Sequence, residues 1–142
     1  MDKSQSIRYE TNIELDLDEV IRVYRDSTLG ERRPVDNREC MTQMIKEANL
    51  IVTAWSENKL VGISRTMTDF CYVAYLADLA VDKACQRQGI GVELIRHTRL
   101  NLGPRCMIVL LAAPAAVDYY PRIGFRSHPQ AWILRAEDEL AS

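Results

Sequence analysis

Only two histidines, His97 and His128, stand in the 142-residue chain, and they lie far apart. Its four cysteines, Cys40, Cys71, Cys85 and Cys106, are scattered and form no Cys-x-x-Cys pair. With so few imidazoles and no paired thiols, neither a metal site nor a disulfide framework is expected. Cys71 and Cys106 sit in apolar stretches and read as core. Cys85 lies in a polar segment and reads as a plain thiol, because no neighbour in sequence would lower its pKa. No apolar run approaches the roughly 20 residues that a membrane helix needs, so no membrane partner is expected. The polar start, Met1 to Ser6, lacks the apolar region of a signal peptide, and a cytoplasmic protein is the simplest expectation. A net charge of −2 with no basic stripe argues against a general nucleic-acid binder.

What is present fits one domain spanning residues 1–142. Ser6–Asn12 reads as a first strand. Asp16-x-x-Glu19 resembles a helix-start box, with Leu17, Val20, Ile21 and Tyr24 following at helical spacing. Asp36-x-x-Glu39 repeats that signal ahead of Met41, Met44, Ile45 and Ala48. Leu50–Trp55 and Leu60–Met67 flank the turn Ser56-Glu57-Asn58-Lys59 and predict an antiparallel hairpin. Tyr72–Val81 is a long strand whose apolar residues do not alternate cleanly, which predicts burial on both faces. Gly89–Leu102 reads as a helix stopped by Gly103-Pro104. Met107–Leu111 is a short apolar strand, a helix is expected through Ala115–Tyr120, and Phe125–Ser127 and Ala131–Leu134 complete the strands. The sum is a mixed α/β sheet whose later half runs β-α-β-α-β.

Chemistry concentrates in Leu79-Ala80-Val81-Asp82-Lys83-Ala84-Cys85-Gln86-Arg87-Gln88-Gly89-Ile90-Gly91-Val92. A strand ends, a polar loop follows, and a glycine-bearing turn opens a helix. The first amides of a helix have no partners within it, and the dipole there favours negative charge. Gly89 and Gly91 lack Cβ atoms, so a diphosphate could approach the bare backbone, with Arg87 adding charge at the rim. A P-loop is excluded, because no G-x-x-x-x-G-K-[ST] occurs. A dinucleotide fingerprint is excluded too, because Leu94 stands where its third glycine is required.

The spacing Gln86-x-x-Gly89-x-Gly91 after Leu79-Ala80-Val81 resembles the cofactor motif of the GCN5-related N-acetyltransferases, the GNAT superfamily. Downstream, Ala116-Val117-Asp118-Tyr119-Tyr120-Pro121-Arg122-Ile123-Gly124-Phe125 is similar to that family's A-x-x-[FY]-Y-x-x-[LI]-G-F segment. Two motifs in order and in register are far more specific than either alone. The resemblance is sharp over Tyr75–Phe125. It implies a mixed, mostly antiparallel central sheet flanked by helices, with a splayed parallel strand pair forming the cofactor cleft. It also implies acetyl-CoA as co-substrate and an amine, small or on a peptide or protein, as acceptor. No metal is implied, and a homodimer is an admissible assembly.

By the same resemblance, Leu79, Ala80 and Val81 would offer backbone contacts to the pantetheine arm and to the developing oxyanion. Gln86, Arg87, Gln88, Gly89, Ile90, Gly91 and Val92 would wrap the pyrophosphate. Tyr120 would protonate the departing thiolate, with Tyr119 as a packing neighbour. Three departures stand out. Ala113 replaces a frequent asparagine. Tyr75, Leu76 and Ala77 occupy the region where a glutamate base is frequent, leaving Asp78 as the strand's only carboxylate and the candidate base. Pro121 directly follows Tyr120, a position that biases the preceding residue away from helical geometry. Acceptor contacts fall on Glu31, Arg32, Arg33, Trp55, Arg65, Tyr72 and Trp132, unranked. Two other classes stay open: a non-catalytic acyl-CoA sensor or interaction domain, and a structural domain with a chance glycine turn.

Overall fold

The computed structural model describes residues 6–141. The chain divides into two compact units, Met1–Leu111 and Ala112–Ser142. The first unit carries five strands: β1 (Ile7–Thr11), β2 (Leu50–Ser56), β3 (Lys59–Thr68), β4 (Val73–Val81) and β5 (Met107–Val109). They lie side by side in sequence order. Neighbours from β1 to β4 are antiparallel, and β4 pairs with β5 in parallel. Helix α1 (Leu17–Asp26), a 3-10 turn (Leu29–Arg32) and α2 (Arg38–Glu47) separate β1 from β2, and α3 (Ile90–Leu100) connects β4 to β5.

Two cores sandwich the sheet. Val20, Val23 and Tyr24 of α1 and Met41 of α2 pack with Ile51, Leu60, Ile63 and Ala80. On the opposite face, Ile90 and Leu94 of α3 pack with Leu50, Val52, Ala54 and Val61. Gly62 sets how closely α3 seats: a Cβ there would lie 3.1 Å from Leu94 Cδ1 and 3.2 Å from Ile90 Cγ2. Beneath the same helix, Ser64 Oγ and Thr98 Oγ1 are 2.9 Å apart in a buried hydrogen bond, so each hydroxyl has a partner.

Several local expectations are corrected. The second helix is capped by Asn37, whose side chain accepts from the Cys40 amide, while Asp36 instead takes Arg25 Nη2 at 2.6 Å. Strand β4 is covered on both faces as expected: Ala80 packs in the core under α1 and α2, while Leu79 and Val81 pack against the core under α3.

In the second unit, a 3-10 turn (Pro114–Ala116) and a four-residue helix α4 (Tyr119–Arg122) replace the single helix expected through Ala115–Tyr120. Pro121 is the reason. It has no amide to donate back to Val117, so the helix breaks and restarts at Tyr119, with the proline in a first turn where no donor is needed. Phe125–Ser127 and Ala131–Leu134 are not strands, and no strand occurs in the described residues after Val109.

Candidate functional site

The parallel pair is short. Only Val73–Tyr75 face Met107–Val109, and β4 runs on for six more residues with β3 alone beside it. A bulge shapes this free edge. Thr66 pairs with Leu76 and Arg65 with Asp78, so Ala77 is the extra residue on β4. Below the bulge, Met107 N donates to Tyr72 O, and alternation turns Ala74 and Leu76 toward β5 as well. Above it, Asp82 N donates to Val61 O, which makes Ala80–Ile63 and Asp78–Arg65 the bonded pairs. Leu79 and Val81 therefore aim their backbone groups away from β3, into the gap that opens where β5 ends. One inserted residue switches which amides face that side, a common use of a bulge beside a functional site.

The gap leads into the loop. Gln86 Nε2 donates to Val81 O at 3.0 Å, tying the loop back to the strand end. Asp82, 5% exposed, starts the turn: its Oδ1 accepts from Ala84 N at 3.0 Å, and its backbone oxygen accepts from Cys85 N. Its Oδ2 lies 3.3 Å from Arg22 Nη1 and 3.9 Å from Lys59 Nζ, so helix α1 and the β2–β3 hairpin both brace the loop. Arg87 at φ 66 and Gly89 at φ 81 are left-handed, and together they reverse the chain into α3.

Gly89 caps α3 without a side-chain hydrogen bond, and the first return bond is Glu93 N to Gly89 O at 3.1 Å. Among the described residues, the amides of Gln88, Gly89, Ile90, Gly91 and Val92 donate to no protein acceptor. Gln86 through Gly89 are exposed, whereas the Ile90 side chain is 2% exposed and locks the helix start into the core. Bare amides at a fixed helix N-terminus, continuous with a strand edge of unpaired amides, suit an anionic group with an amide-bearing arm. Gln86, Arg87, Gln88, Gly89, Ile90, Gly91, Val92, Leu79 and Val81 thus form one continuous surface. Ala80 is turned the other way, toward Ile63, with its side chain in the core.

Asp78 lies on the opposite face, with its side chain fully buried. Its Oδ2 accepts from Tyr24 Oη at 2.6 Å and Arg65 Nε at 2.5 Å, and its Oδ1 accepts from Arg33 Nε at 2.5 Å. Burial pushes its carboxyl up, but the Arg65 hydrogen bond and charge, the Tyr24 hydroxyl and the Arg33 charge outweigh it. The net result is a carboxylate held below its usual range, with three donors already on its oxygens. Such a group is a poor proton acceptor. The same cluster raises the Tyr24 phenol well above its ordinary value, through burial first and the Asp78 charge second. The Arg65 guanidinium is destabilised by burial, and Asp78 more than compensates.

Tyr120 belongs to the second unit, in α4. Its ring meets Tyr119 edge-on at 5.2 Å and Phe125 edge-on at 5.4 Å. Its backbone oxygen accepts from the Phe125 amide at 3.0 Å, so Gly124, at φ 109, returns the chain beneath the ring. Burial raises the Tyr120 phenol, with a smaller contribution from Tyr119. A phenol that stays protonated at neutral pH can donate a proton.

Of the acceptor candidates, Arg33 and Arg65 are committed to Asp78. Trp55 Nε1 donates to Thr53 Oγ1 at 2.8 Å, and Trp132 is 94% exposed. Sequence reasoning missed Tyr24 and Asp82 as organisers of the site and left Arg33 and Arg65 among the acceptor contacts. No local pattern reveals them, because their partners are distant in the chain. No group of three His, Cys, Asp or Glu able to hold a metal occurs among the described residues, and none of their helices is long and apolar enough to cross a membrane.

Comparison with known proteins places this geometry in a family. Residues 23–133 match the model of the acetyltransferase (GNAT) domain. The chain is 34% identical over 76 residues to the GCN5-related N-acetyltransferase 2, chloroplastic, of Arabidopsis thaliana, a stretch covering 52% of this chain and 30% of that protein. It therefore spans about a third of the length of that curated relative. Among solved structures, a GNAT-family acetyltransferase from Streptococcus pneumoniae superposes with a TM-score of 0.73 at 23% identity, covering 92% of this chain and 99% of the other. An aminoglycoside N-acetyltransferase in complex with CoA gives a TM-score of 0.71 at 14% identity, covering 96% and 99%. At these identities the structural likeness speaks for the fold.

Proposed function

The chain belongs to the GNAT acetyltransferases, and on that premise we propose that it is a single catalytic domain that transfers an acetyl group from acetyl-CoA to a primary amine. The observation that carries the reading is one continuous backbone surface, from Leu79 and Val81, which face away from β3 at the β4 edge, to the unpaired amides of Gln88–Val92 at the start of α3. The CoA held by the structurally similar aminoglycoside N-acetyltransferase supports the choice of ligand. The helix N-terminus and Arg87 bind the pyrophosphate, and the strand edge orients the pantetheine amides.

The role of Leu79 follows from that placement, and the roles of Tyr120 and Ala113 follow from the family resemblance of their segment. The Leu79 amide, aimed into the gap above the bulge, stabilises the negative charge that develops on the thioester oxygen. An attacking amine must be neutral, and it loses its proton to solvent rather than to Asp78, which is fully buried and held as an anion by three donors. The new carbon–nitrogen bond expels the CoA sulfur, and the Tyr120 phenol returns a proton to that thiolate. Ala113 leaves the cofactor arm without an asparagine contact, so the backbone edge supplies the recognition.

Release of free CoA thiol from acetyl-CoA, measured across a panel of small amines and lysine peptides, tests the reading. Amine-dependent thiol release is the expected result. Binding of acetyl-CoA with no release on any amine would replace it with a non-catalytic acyl-CoA sensor.

A further inference from the structure

The Asp78 cluster holds more positive charge than the carboxylate requires. Arg65, 8% exposed and on the neighbouring strand, is enough to neutralise Asp78, and Tyr24 completes the hydrogen bonding of the shared oxygen. Arg33 adds a second guanidinium, from the segment between α1 and α2. Its fork grips two different groups. Nε donates to Asp78 Oδ1 at 2.5 Å, and Nη2 donates to Ala77 O at 2.8 Å. Ala77 is the inserted residue of the bulge, and the bulge is what turns the Leu79 and Val81 amides into the gap. A planar guanidinium can bind a side chain and a carbonyl in fixed relative geometry, which a charge alone cannot.

The segment that bears Arg33 is itself tied down. Ser27 Oγ donates to Tyr24 O and accepts from Leu29 N, Thr28 is left-handed at φ 74, and Arg33 Nη1 donates to Arg32 O at 2.9 Å. The segment between α1 and α2 thus reaches the β4 bulge through the Arg33 side chain, which is 24% exposed.

We infer that Arg33 is a positioning residue, a clamp that fixes the Ala77 bulge so that the Leu79 amide meets the reacting carbonyl, joining the α1–α2 segment to the cofactor strand. This rests on the acetyltransferase reading. The clamp acts on the direction of the strand amides and leaves the phosphate loop untouched, so its loss falls more on kcat than on acetyl-CoA affinity.

The experiment compares Arg33→Ala and Arg33→Lys with the unmodified protein. Three measurements are made: steady-state acetyl transfer to an accepted amine, acetyl-CoA affinity by calorimetry, and hydrogen exchange over residues 76–80 with acetyl-CoA bound. Arg33→Ala is expected to lower kcat by about 10²-fold, the scale of a displacement near 1 Å at a reacting centre. Its acetyl-CoA Kd rises by far less than kcat falls, and exchange over residues 76–80 quickens. Arg33→Lys recovers part of kcat, because it restores the charge at Asp78 without spanning the Ala77 carbonyl. Unchanged kcat in Arg33→Ala, a loss residing wholly in acetyl-CoA Kd, or complete rescue by lysine would each overturn the clamp. If the unmodified protein acetylates no amine, the acetyltransferase reading fails on its own. Exchange then decides: faster exchange over residues 76–80 in Arg33→Ala upholds the clamp, and unchanged exchange overturns it.

Discussion

Replacing Asp78 with asparagine keeps the side chain's shape and removes its charge. Asp78 is fully buried, with Arg65 at 10% side-chain exposure and Arg33 at 24%. Three donors converge on the carboxylate, from Tyr24, Arg65 and Arg33. An amide can accept on only one of its two positions, so its own N–H groups would meet a guanidinium. Breaking a buried pair by removing one partner costs about 3–5 kcal/mol, because the other charge is left uncompensated. A domain of this kind is stable by about 5–15 kcal/mol, so the loss is a large share. It should lower the melting temperature by on the order of 10 °C.

The pH dependence has a definite sign. The folded pKa of Asp78 lies below its unfolded value, so its stabilisation is fully present above the unfolded value of about 3.9. That stabilisation disappears as pH falls through the lower, folded value. Urea unfolding of Asp78→Asn and the unmodified protein, compared at neutral pH and in acid, should show a gap that narrows below about pH 4. A loss under about 1 kcal/mol at pH 7 would refute the claim that Asp78 is a buried structural anion. A gap that persists unchanged in acid would refute it equally.

Tyr120→Phe keeps the ring contacts with Tyr119 and Phe125 and should lower kcat by about 10²–10⁴-fold, with Tyr119→Phe nearly unaffected in parallel assays. If the two variants exchange behaviour, Tyr119 is the proton donor; if neither loses activity, the thiolate leaves without help from a phenol. Gly89→Ala meets no atom within 4 Å, so its cost is that of a left-handed alanine, about 1–2 kcal/mol, read as weaker acetyl-CoA binding with little change in kcat. Asp82→Asn weakens the brace from Arg22 and Lys59 and should raise KM for acetyl-CoA more than it lowers kcat; an unchanged KM would show that the loop holds its shape without the charge.

Much of the first unit was legible because local signals agreed with burial. The hairpin Leu50–Thr68 has its turn at Glu57-Asn58, and Glu57 adopts the φ of 55 that a tight turn demands. The turn that opens α3 was legible because Gly89 marks where the backbone becomes left-handed, at φ 81. The role of Asp78 was not, since Tyr24 precedes it by 54 residues and Arg33 by 45, and only the folded sheet brings them together. The bulge at Ala77 was equally silent, because an alanine among alanines leaves no trace of an inserted residue. In the second unit, the helix expected through Ala115–Tyr120 yields to one missing donor at Pro121, and the apolar residues of Ala131–Leu134 give a strand pattern without pairing.

The central claim is that acetyl-CoA sits with its pyrophosphate on the amides of Gln88–Val92. Titration calorimetry of acetyl-CoA into the unmodified protein and into Gly91→Glu tests it most directly. Gly91 is the second residue of α3, so a glutamate there sets a carboxylate beside the phosphates, where the helix otherwise favours an anion. The account predicts saturable binding to the unmodified protein and none to Gly91→Glu. Equal affinity in the two proteins, or no binding to the unmodified one, would contradict it.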